Sequence, residues 1–305
     1  MRITNASMSR IMMDNIANRT VEYAKLDGQL TSGKRVNNIS DDPVASMQLV
    51  QLENSKSDVS QYKTNVVRLS GNYSVQEASL NSLDNQLLVV RDKMLAAKNG
   101  NHSATESATF GREINLLLDG IMSGLNTKNS EGNYLFSGTK SNIKPVEYDN
   151  ATQTYTFKGN NERRDAVVGN GITLQENTDL SSALSTSSNN LEILTNLKKL
   201  ANKMIDSSIT PITYNQEISN NLTAIEMAAK KIGGMVTELG AKQNRLDHLS
   251  NLHDDVEIVN ANLEKDLAGI DLLKVNAAMQ SNFLSTKIAH SMQAKISQLS
   301  LFNYI

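Results

Sequence analysis

Apolar side chains recur at alternating intervals of three and four residues through Val59, Tyr62, Val66, Leu69, Tyr73, Leu80, Leu83, Leu87, Val90, Met94 and Ala97, with Gln76 the one polar interruption. That period draws a narrow apolar stripe along a long helix, a seam of the kind that is buried against another helix. Ile218, Leu222, Ile225, Ile232, Leu239, Leu246, Leu249, Val256, Val259, Leu263, Leu267 and Ile270 follow similar spacings in the C-terminal third. The two seams predict a mainly α fold, a long antiparallel helical rod or bundle of heptad-patterned helices drawn from both ends of the chain.

Local signals set the limits of these helices. Met8, Met12, Ile16, Tyr23, Leu26 and Leu30 give a sparse helical pattern that should stop at Gly33, a residue suited to a helix C-terminus. Asp42 before Pro43 then reads as a start: aspartate caps free amides and proline is preformed for the first helical position. From Ala45 to Ala97 the helix would run roughly 80 Å, ending at Asn99-Gly100-Asn101. Ser103 and Glu106 have capping-box spacing, and Phe110, Ile114, Leu117, Ile121 and Leu125 give the next helix its apolar face.

From Asn133 the period changes. Tyr134–Ser137, Val146–Tyr148, Thr154–Lys158, Ala166–Val168 and Ile172–Gln175 are short β-prone runs between Gly, Asn and Asp clusters, which predicts a small β-rich insert, separable from the helices. A Ser/Asn-rich stretch from Ser181 to Asn190 leads out of it, and Leu191, Leu194, Leu197 and Leu200 resume helical spacing. Three regions follow: terminal helices over 1–43 and 273–305, a helical rod over 44–132 and 190–272, and the inserted domain over 133–189. In the terminal helices Met8, Met12, Ile16, Leu26 and Leu30 at one end, and Leu284, Ile288, Met292, Ile296 and Leu299 at the other, form stripes too sparse to hold an isolated helix. Both ends are expected to stay disordered until assembly supplies a partner for those residues.

Composition narrows the chemistry. Aromatics are only 4% and Trp is absent, which suits slender helical packing better than a thick enzyme core. Thirty basic residues against thirty-two acidic ones leave no basic block, so no nucleic-acid partner is expected. The absence of cysteine removes disulfides, thiolate nucleophiles and thiolate metal sites. No apolar run approaches the ~20 residues of a membrane span, and Met1 to Asn18 lacks the apolar core of a cleaved signal peptide.

Two patterns invite a chemical reading. Gly28 to Lys34 has the spacing of a phosphate-binding loop, but Arg35 stands where a Ser or Thr is needed and a helix, not a strand, precedes it. Asp247, His248, His253, Asp254 and Asp255 hold potential metal ligands, yet the histidines are five apart and diverge by about 140° around a helix. A glycine cap and a solvated helix face account for them, and neither catalysis nor a cofactor is expected.

Leu30-Thr31-Ser32-Gly33-Lys34-Arg35-Val36-Asn37 followed by Ser40-Asp41-Asp42-Pro43-Val44-Ala45 resembles the N-terminal signature of the flagellin family of bacterial axial proteins. Flagellins themselves usually lack that proline. The Asp41-Asp42-Pro43 form, with Gly132-Asn133-Tyr134-Leu135-Phe136-Ser137-Gly138-Thr139-Lys140 and the C-terminal Ser297 to Ile305, is similar to the family's members at the hook–filament junction. Asp41, Asp42, Pro43, Tyr134, Phe136 and Gly138 are the residues on which this likeness rests. The resemblance implies an extracellular structural protein of the flagellum, exported by the flagellar type III apparatus without a cleaved signal. It also implies partners: another hook-associated protein on the hook side, flagellin on the filament side, an export chaperone at the C-terminal region, and self-association in a ring through coiled-coil pairing of the terminal helices. A flagellin-type filament subunit is the second reading, and a soluble enzyme or metal-dependent binding module using His248, His253 and Asp254 the third.

Overall fold

The computed structural model describes residues 5–99, 102–185 and 191–302, and their side chains except at 5, 6, 211 and 296–302. In chain order the elements are α1 (Asn5–Ser32), α2 (Pro43–Asn99), α3 (Ala104–Leu125), β1 (Val146–Asp149), β2 (Thr154–Phe157), β3 (Asp165–Gly169), β4 (Ile172–Gln175), α4 (Ser181–Leu184), α5 (Glu192–Ile205), α6 (Asn215–Ala268) and α7 (Leu272–Phe302). A 3-10 turn over Pro211–Tyr214 precedes α6. The fold is mainly α, with long helices from both ends of the chain and a small strand region between them.

The start and stop signals act as their chemistry requires. Gly33 ends α1 in the left-handed region at φ +67°, with its N–H bonded to the Gln29 carbonyl. The phosphate-loop spacing therefore lies mostly inside a helix. Before α3 the Ser103 hydroxyl accepts from the Glu106 N–H while the Glu106 carboxylate accepts from the Ser103 N–H, a complete capping box. The end of α2 predicted at Asn99-Gly100-Asn101 lies partly outside the described residues.

The chain divides into two compact units, residues 1–59 with 254–305, and residues 60–253. In the second unit the seam of α2 is buried at every position from Val66 to Ala97, including Gln76. It shares one core with Ile114, Leu118, Ile121 and Leu125 of α3, with Leu194, Leu197 and Leu200 of α5, and with Ile218, Ile225, Ile232, Leu239 and Leu246 of α6.

The strands form two antiparallel hairpins, β1–β2 with Val146 opposite Phe157, and β3–β4 with Asp165 opposite Gln175 and a bulge between Val167 and Gly169. They have no separate core: Val146, Tyr155, Val168 and Leu174 join the helical cluster. Tyr134–Ser137 is not a strand. Leu135, Phe136 and Ser137 are buried in succession within a turn, with Tyr134 making one isolated bridge. The loop is tied instead by the Leu135 N–H on the Thr127 carbonyl and a bridge from Lys128 to Tyr134. Within Ser181–Asn190 the first residues form the short α4, which buries Ala183 and Leu184, and 186–190 lie outside the described residues.

The C-terminal seam departs from its predicted register past Leu249. Val259 and Leu263 are exposed at 61% and 45%, while His253 and Asn260 are buried. Polar His253 and Asn260 take the most buried positions there, while Val256 and Leu267 are half-buried and Ala268 is buried, so the apolar pattern follows the inward face only in part.

Candidate assembly surface

The acidic element at Asp41-Asp42-Pro43 organises a corner of the first unit. Asp42 caps α2, its Oδ1 accepting from the Ala45 N–H at 3.0 Å, with Pro43 at the first helical position. Its Oδ2 pairs with Arg35 Nη1 at 3.0 Å, and Arg35 Nη2 reaches the Leu267 carbonyl at 2.9 Å. The Arg35 N–H adds a bond to the Ala268 carbonyl, and Lys34 makes an isolated bridge with Gly269. Arg35 thus joins the free amide end of α2 to the free carbonyl end of α6. Asp41 accepts from the N–H groups of Asn37 and Asn38 and pairs with Lys25 at 3.2 Å. These bonds hold both carboxyls below the usual aspartate range, chiefly through the Asn38 amide at Asp41 and the Ala45 amide at Asp42.

The second family element is structural in the same sense. Phe136 is buried in the second unit near Leu125, Val146, Phe157 and Leu184, all lining one small cavity. Tyr134 is half-buried, with the Lys128 ammonium 4.6 Å from its ring centre. Gly138 sits at φ +68°, where a Cβ would run into the Asn160 carbonyl and side-chain amide. Asn160 in turn bonds the loop from both sides, its N–H on the Ser137 carbonyl and its Oδ1 receiving the Thr139 N–H.

The helices α1 and α7 pack on each other in the first unit. Arg19 meets Asn282 and Lys34 meets Gly269, so the pair is antiparallel. On α1, Leu26 is buried and Met12 and Ile16 are half-buried, at seam spacing, whereas Met8 and Leu30 are exposed. On α7 the inward residues are Val275, Met279, Asn282, Thr286, Ala289 and Gln293, at intervals of four and three. The predicted stripe of Leu284, Ile288 and Met292 lies off that seam, each more than half exposed. The side chains of Ile296 and Leu299 lie outside the described residues.

The face of α7 turned to α1 thus mixes apolar Val275, Met279 and Ala289 with polar Asn282, Thr286 and Gln293, and the stripe of Leu284, Ile288 and Met292 is uncovered in the single chain. The apolar pattern alone does not reveal the inward seam, because the mixed heptad through Asn282 carries the same period on another face of the helix. Tyr23, Asn276, Met279, Gln280, Phe283 and Leu284 line an open groove of about 420 Å³ at the edge of the pair, with Phe283 exposed at 61%.

Of the metal-ligand candidates, Asp247, His248, Asp254 and Asp255 are exposed and only His253 is packed inside. His253 is buried in the second unit with Nε2 2.7 Å from the Val168 carbonyl and its ring against Tyr62. Among the described residues no group of three or more His, Cys, Asp or Glu side chains converges as a metal site, and no helix is long and apolar enough to cross a membrane.

The bacterial flagellin N-terminal helical region matches residues 3–141. Flagellar hook-associated protein 3 of Salmonella typhimurium is 32% identical over 155 residues, 51% of this chain and 48% of that protein. This chain therefore aligns with about half the length of the Salmonella relative. The Escherichia coli protein of the same name is 25% identical over 282 residues, 89% of each chain. A solved flagellar hook-associated protein from Vibrio parahaemolyticus superposes with a TM-score of 0.67 and 28% identity, over 75% of this chain and all of that one. With the acidic corner and the buried Tyr-Leu-Phe-Ser-Gly loop in place, the chain carries a flagellin-type N-terminal region over residues 3–141 and is similar to flagellar hook-associated protein 3.

Proposed function

We propose that this chain is a structural adaptor of the bacterial flagellum, seated between another hook-associated protein and the flagellin filament, and not an enzyme. The observation that carries the reading is the uncovered stripe of Leu284, Ile288 and Met292 on α7. A contiguous apolar face at helical spacing is a docking face for another helix, and burial of each such side chain contributes about 1.5–3 kcal/mol. The paired helices α1 and α7 hold each other through a sparse seam of mixed polar and apolar residues that is marginal alone, and assembly supplies the missing burial. Ring formation by copies of the chain, an export chaperone covering the C-terminal stripe, and passage to the extracellular flagellum without a cleaved signal complete the reading; support for them is the family likeness and the same apolar face.

The test is genetic and direct. Removing the chain from its parent bacterium should leave hooks without filaments and release flagellin into the medium, and restoring it should restore filaments. Cells that still bear normal filaments would overturn the adaptor role. The filament-subunit alternative separates in vitro: seeded growth of long filaments from the purified chain alone would favour it.

A further inference from the structure

Asn170 and Gly171 form the two-residue turn between β3 and β4. Asn170 is exposed, Gly171 holds φ +68°, and nothing lies within 4 Å of the place a Gly171 Cβ would occupy. Among the described residues the Asn170 side-chain amide has no hydrogen-bond partner, and the Gly171 N–H makes no main-chain bond in the turn. An electrophilic amide carbon and the next main-chain nitrogen therefore stand side by side, unheld and open to water. Asn150-Ala151, in the loop between β1 and β2, makes the contrast: it is exposed too, but the Ala151 N–H is held by Asp149 Oδ1 at 2.9 Å. Asn54-Ser55 and Asn81-Ser82 lie inside α2, where the following N–H is spent on a carbonyl four residues back. The Asn177 amide accepts from the Arg164 N–H and donates to the Glu162 carbonyl. The chain's other Asn-Gly pair, Asn99-Gly100, lies partly outside the described residues.

We propose that Asn170-Gly171 is a site of spontaneous covalent modification, at which the folded chain converts asparagine to aspartate and isoaspartate through a cyclic imide. The Gly171 main-chain nitrogen, deprotonated by hydroxide, attacks Asn170 Cγ. The new N–Cγ bond closes a five-membered ring, the Cγ–Nδ2 bond breaks, and the amide group takes a proton from water and leaves as ammonia. Water then opens the imide. Cleavage of N–Cγ gives aspartate in an unaltered chain, and cleavage at the Asn170 main-chain carbonyl gives isoaspartate, with the chain running through the former side chain. In sum, asparagine and water become a carboxylic acid and ammonia, with no oxidant or reductant. Glycine matters on the nucleophile's side because a Cβ would crowd the approach, and the empty space around Gly171 lets the peptide unit turn into the geometry of attack.

The hairpin can carry the product. It is anchored away from its tip by Asn65 on the Val167 carbonyl at 2.7 Å, His253 on the Val168 carbonyl at 2.7 Å and the Tyr73 hydroxyl on the Gln175 carbonyl. The modification adds one negative charge at the turn and leaves these bonds in place.

The full-length chain, held in mildly alkaline buffer, is digested and its asparagines followed by mass spectrometry, with isoaspartate labelled by an isoaspartyl methyltransferase. Asn170 should convert to both products in the folded chain, at a rate within about a hundredfold of that in urea-unfolded chain. The rate should rise about tenfold per pH unit, as attack by a nitrogen that hydroxide must deprotonate requires. A turn that shielded the pair would react only through global opening, on the order of 10³-fold or more slower than the unfolded chain. Protection beyond the hundredfold limit would overturn the proposal, and so would aspartate formed without isoaspartate, which excludes the imide. Asn170→Gln, whose ring would need six members, should melt as the unchanged chain does and stay unmodified at this position; conversion there at the rate of Asn170 would overturn the mechanism. The measurement needs no flagellum, so its outcome is separable from that of the adaptor assignment.

Discussion

Gln76, the polar break in an otherwise apolar seam, donates its Nε2 to the main-chain carbonyl of Glu176 at 2.9 Å, one hundred residues away. The Glu176 carboxylate meets Arg68 at 2.7 Å, Asn72 at 2.9 Å and Arg164 at 3.3 Å, and the Tyr73 hydroxyl donates to the Gln175 carbonyl at 2.6 Å. Four residues of one helix face therefore grip the end of β4. The β-rich insert is fastened to α2 by buried polar bonds as well as by the shared core.

Glu176→Ala should accordingly destabilise the chain by about 3 kcal/mol, because it removes a buried acceptor and strands two guanidinium groups. The arginines are partly solvated, which keeps the loss at the low end of the range for a broken buried pair. Urea denaturation followed by circular dichroism measures it. Replacing the whole insert by a flexible linker should do more, exposing the apolar side of α3 and α5 and broadening or abolishing the cooperative transition.

Leu80 and Asn81 test the helix register. Leu80 is fully buried in the seam and Asn81 is exposed. Leu80→Asp should cost at least about 3 kcal/mol through desolvation of an unpaired carboxylate, while Asn81→Asp should stay within about 0.5 kcal/mol. Equal urea midpoints for the two variants would contradict the burial of this face.

Apolar period alone carried the sequence reading a long way: the seam from Val66 to Ala97, the cap at Gly33, the start at Pro43 and the capping box at Ser103 all lie where local chemistry puts them. It failed wherever a polar residue took an inward position. His253, Asn260 and Asn282 are buried because each, or its neighbours, finds a partner from distant chain, and no local signal announces a partner a hundred residues away. The same blindness hid the grip of Gln76 on Glu176. On α7 the apolar stripe and the inward seam are two faces of one helix, and only the first is legible in the apolar pattern.

Gly138→Ala should destabilise the loop that carries Tyr134 and Phe136 by about 3 kcal/mol. The backbone there is left-handed, and a methyl group would collide with the main chain at Asn160, which cannot move aside as a flexible side chain could. Gly132 has a similar φ of +82° but open space around it, so Gly132→Ala should suffer the conformational strain alone. Thermal unfolding of the two variants, with Gly138→Ala melting the lower, checks the difference.

The acidic corner should respond to pH. Asp41 and Asp42 are held below the ordinary aspartate range in the folded chain, so the fold binds fewer protons than the unfolded chain in that window. Their contribution is complete above the ordinary aspartate pKa and is lost as pH falls through the lowered values. Protonated Asp42 would accept poorly from Ala45 and release Arg35 from the ends of α2 and α6. The protection of the Ala45 amide, taken relative to its intrinsic exchange rate at each pH, should fall on acidification below about pH 4, and Asp42→Asn should show that loosened state at neutral pH while retaining a neutral cap.

The outward stripe on α7 makes the sharpest separation between stability and assembly. Leu284 and Ile288 are exposed at 58% and 59%, so replacing both by serine removes almost no intrachain burial. Leu284→Ser with Ile288→Ser should leave the melting temperature nearly unchanged, in keeping with surface substitutions that shift stability by less than about 0.5 kcal/mol each. The same pair should forfeit most of the apolar burial available to a docking helix, about 3–6 kcal/mol for two leucine-sized side chains, or a hundredfold and more in affinity. Cells carrying only the double variant should therefore make stable chain but attach few or no filaments, as counted by electron microscopy. Thr286→Ala, on the seam between the same two helices, serves as the contrast: it should alter the pairing of α1 with α7 slightly and leave filament attachment intact. A double variant that melts early would place the stripe inside the chain's own packing, and one that attaches filaments normally would remove the stripe from assembly altogether.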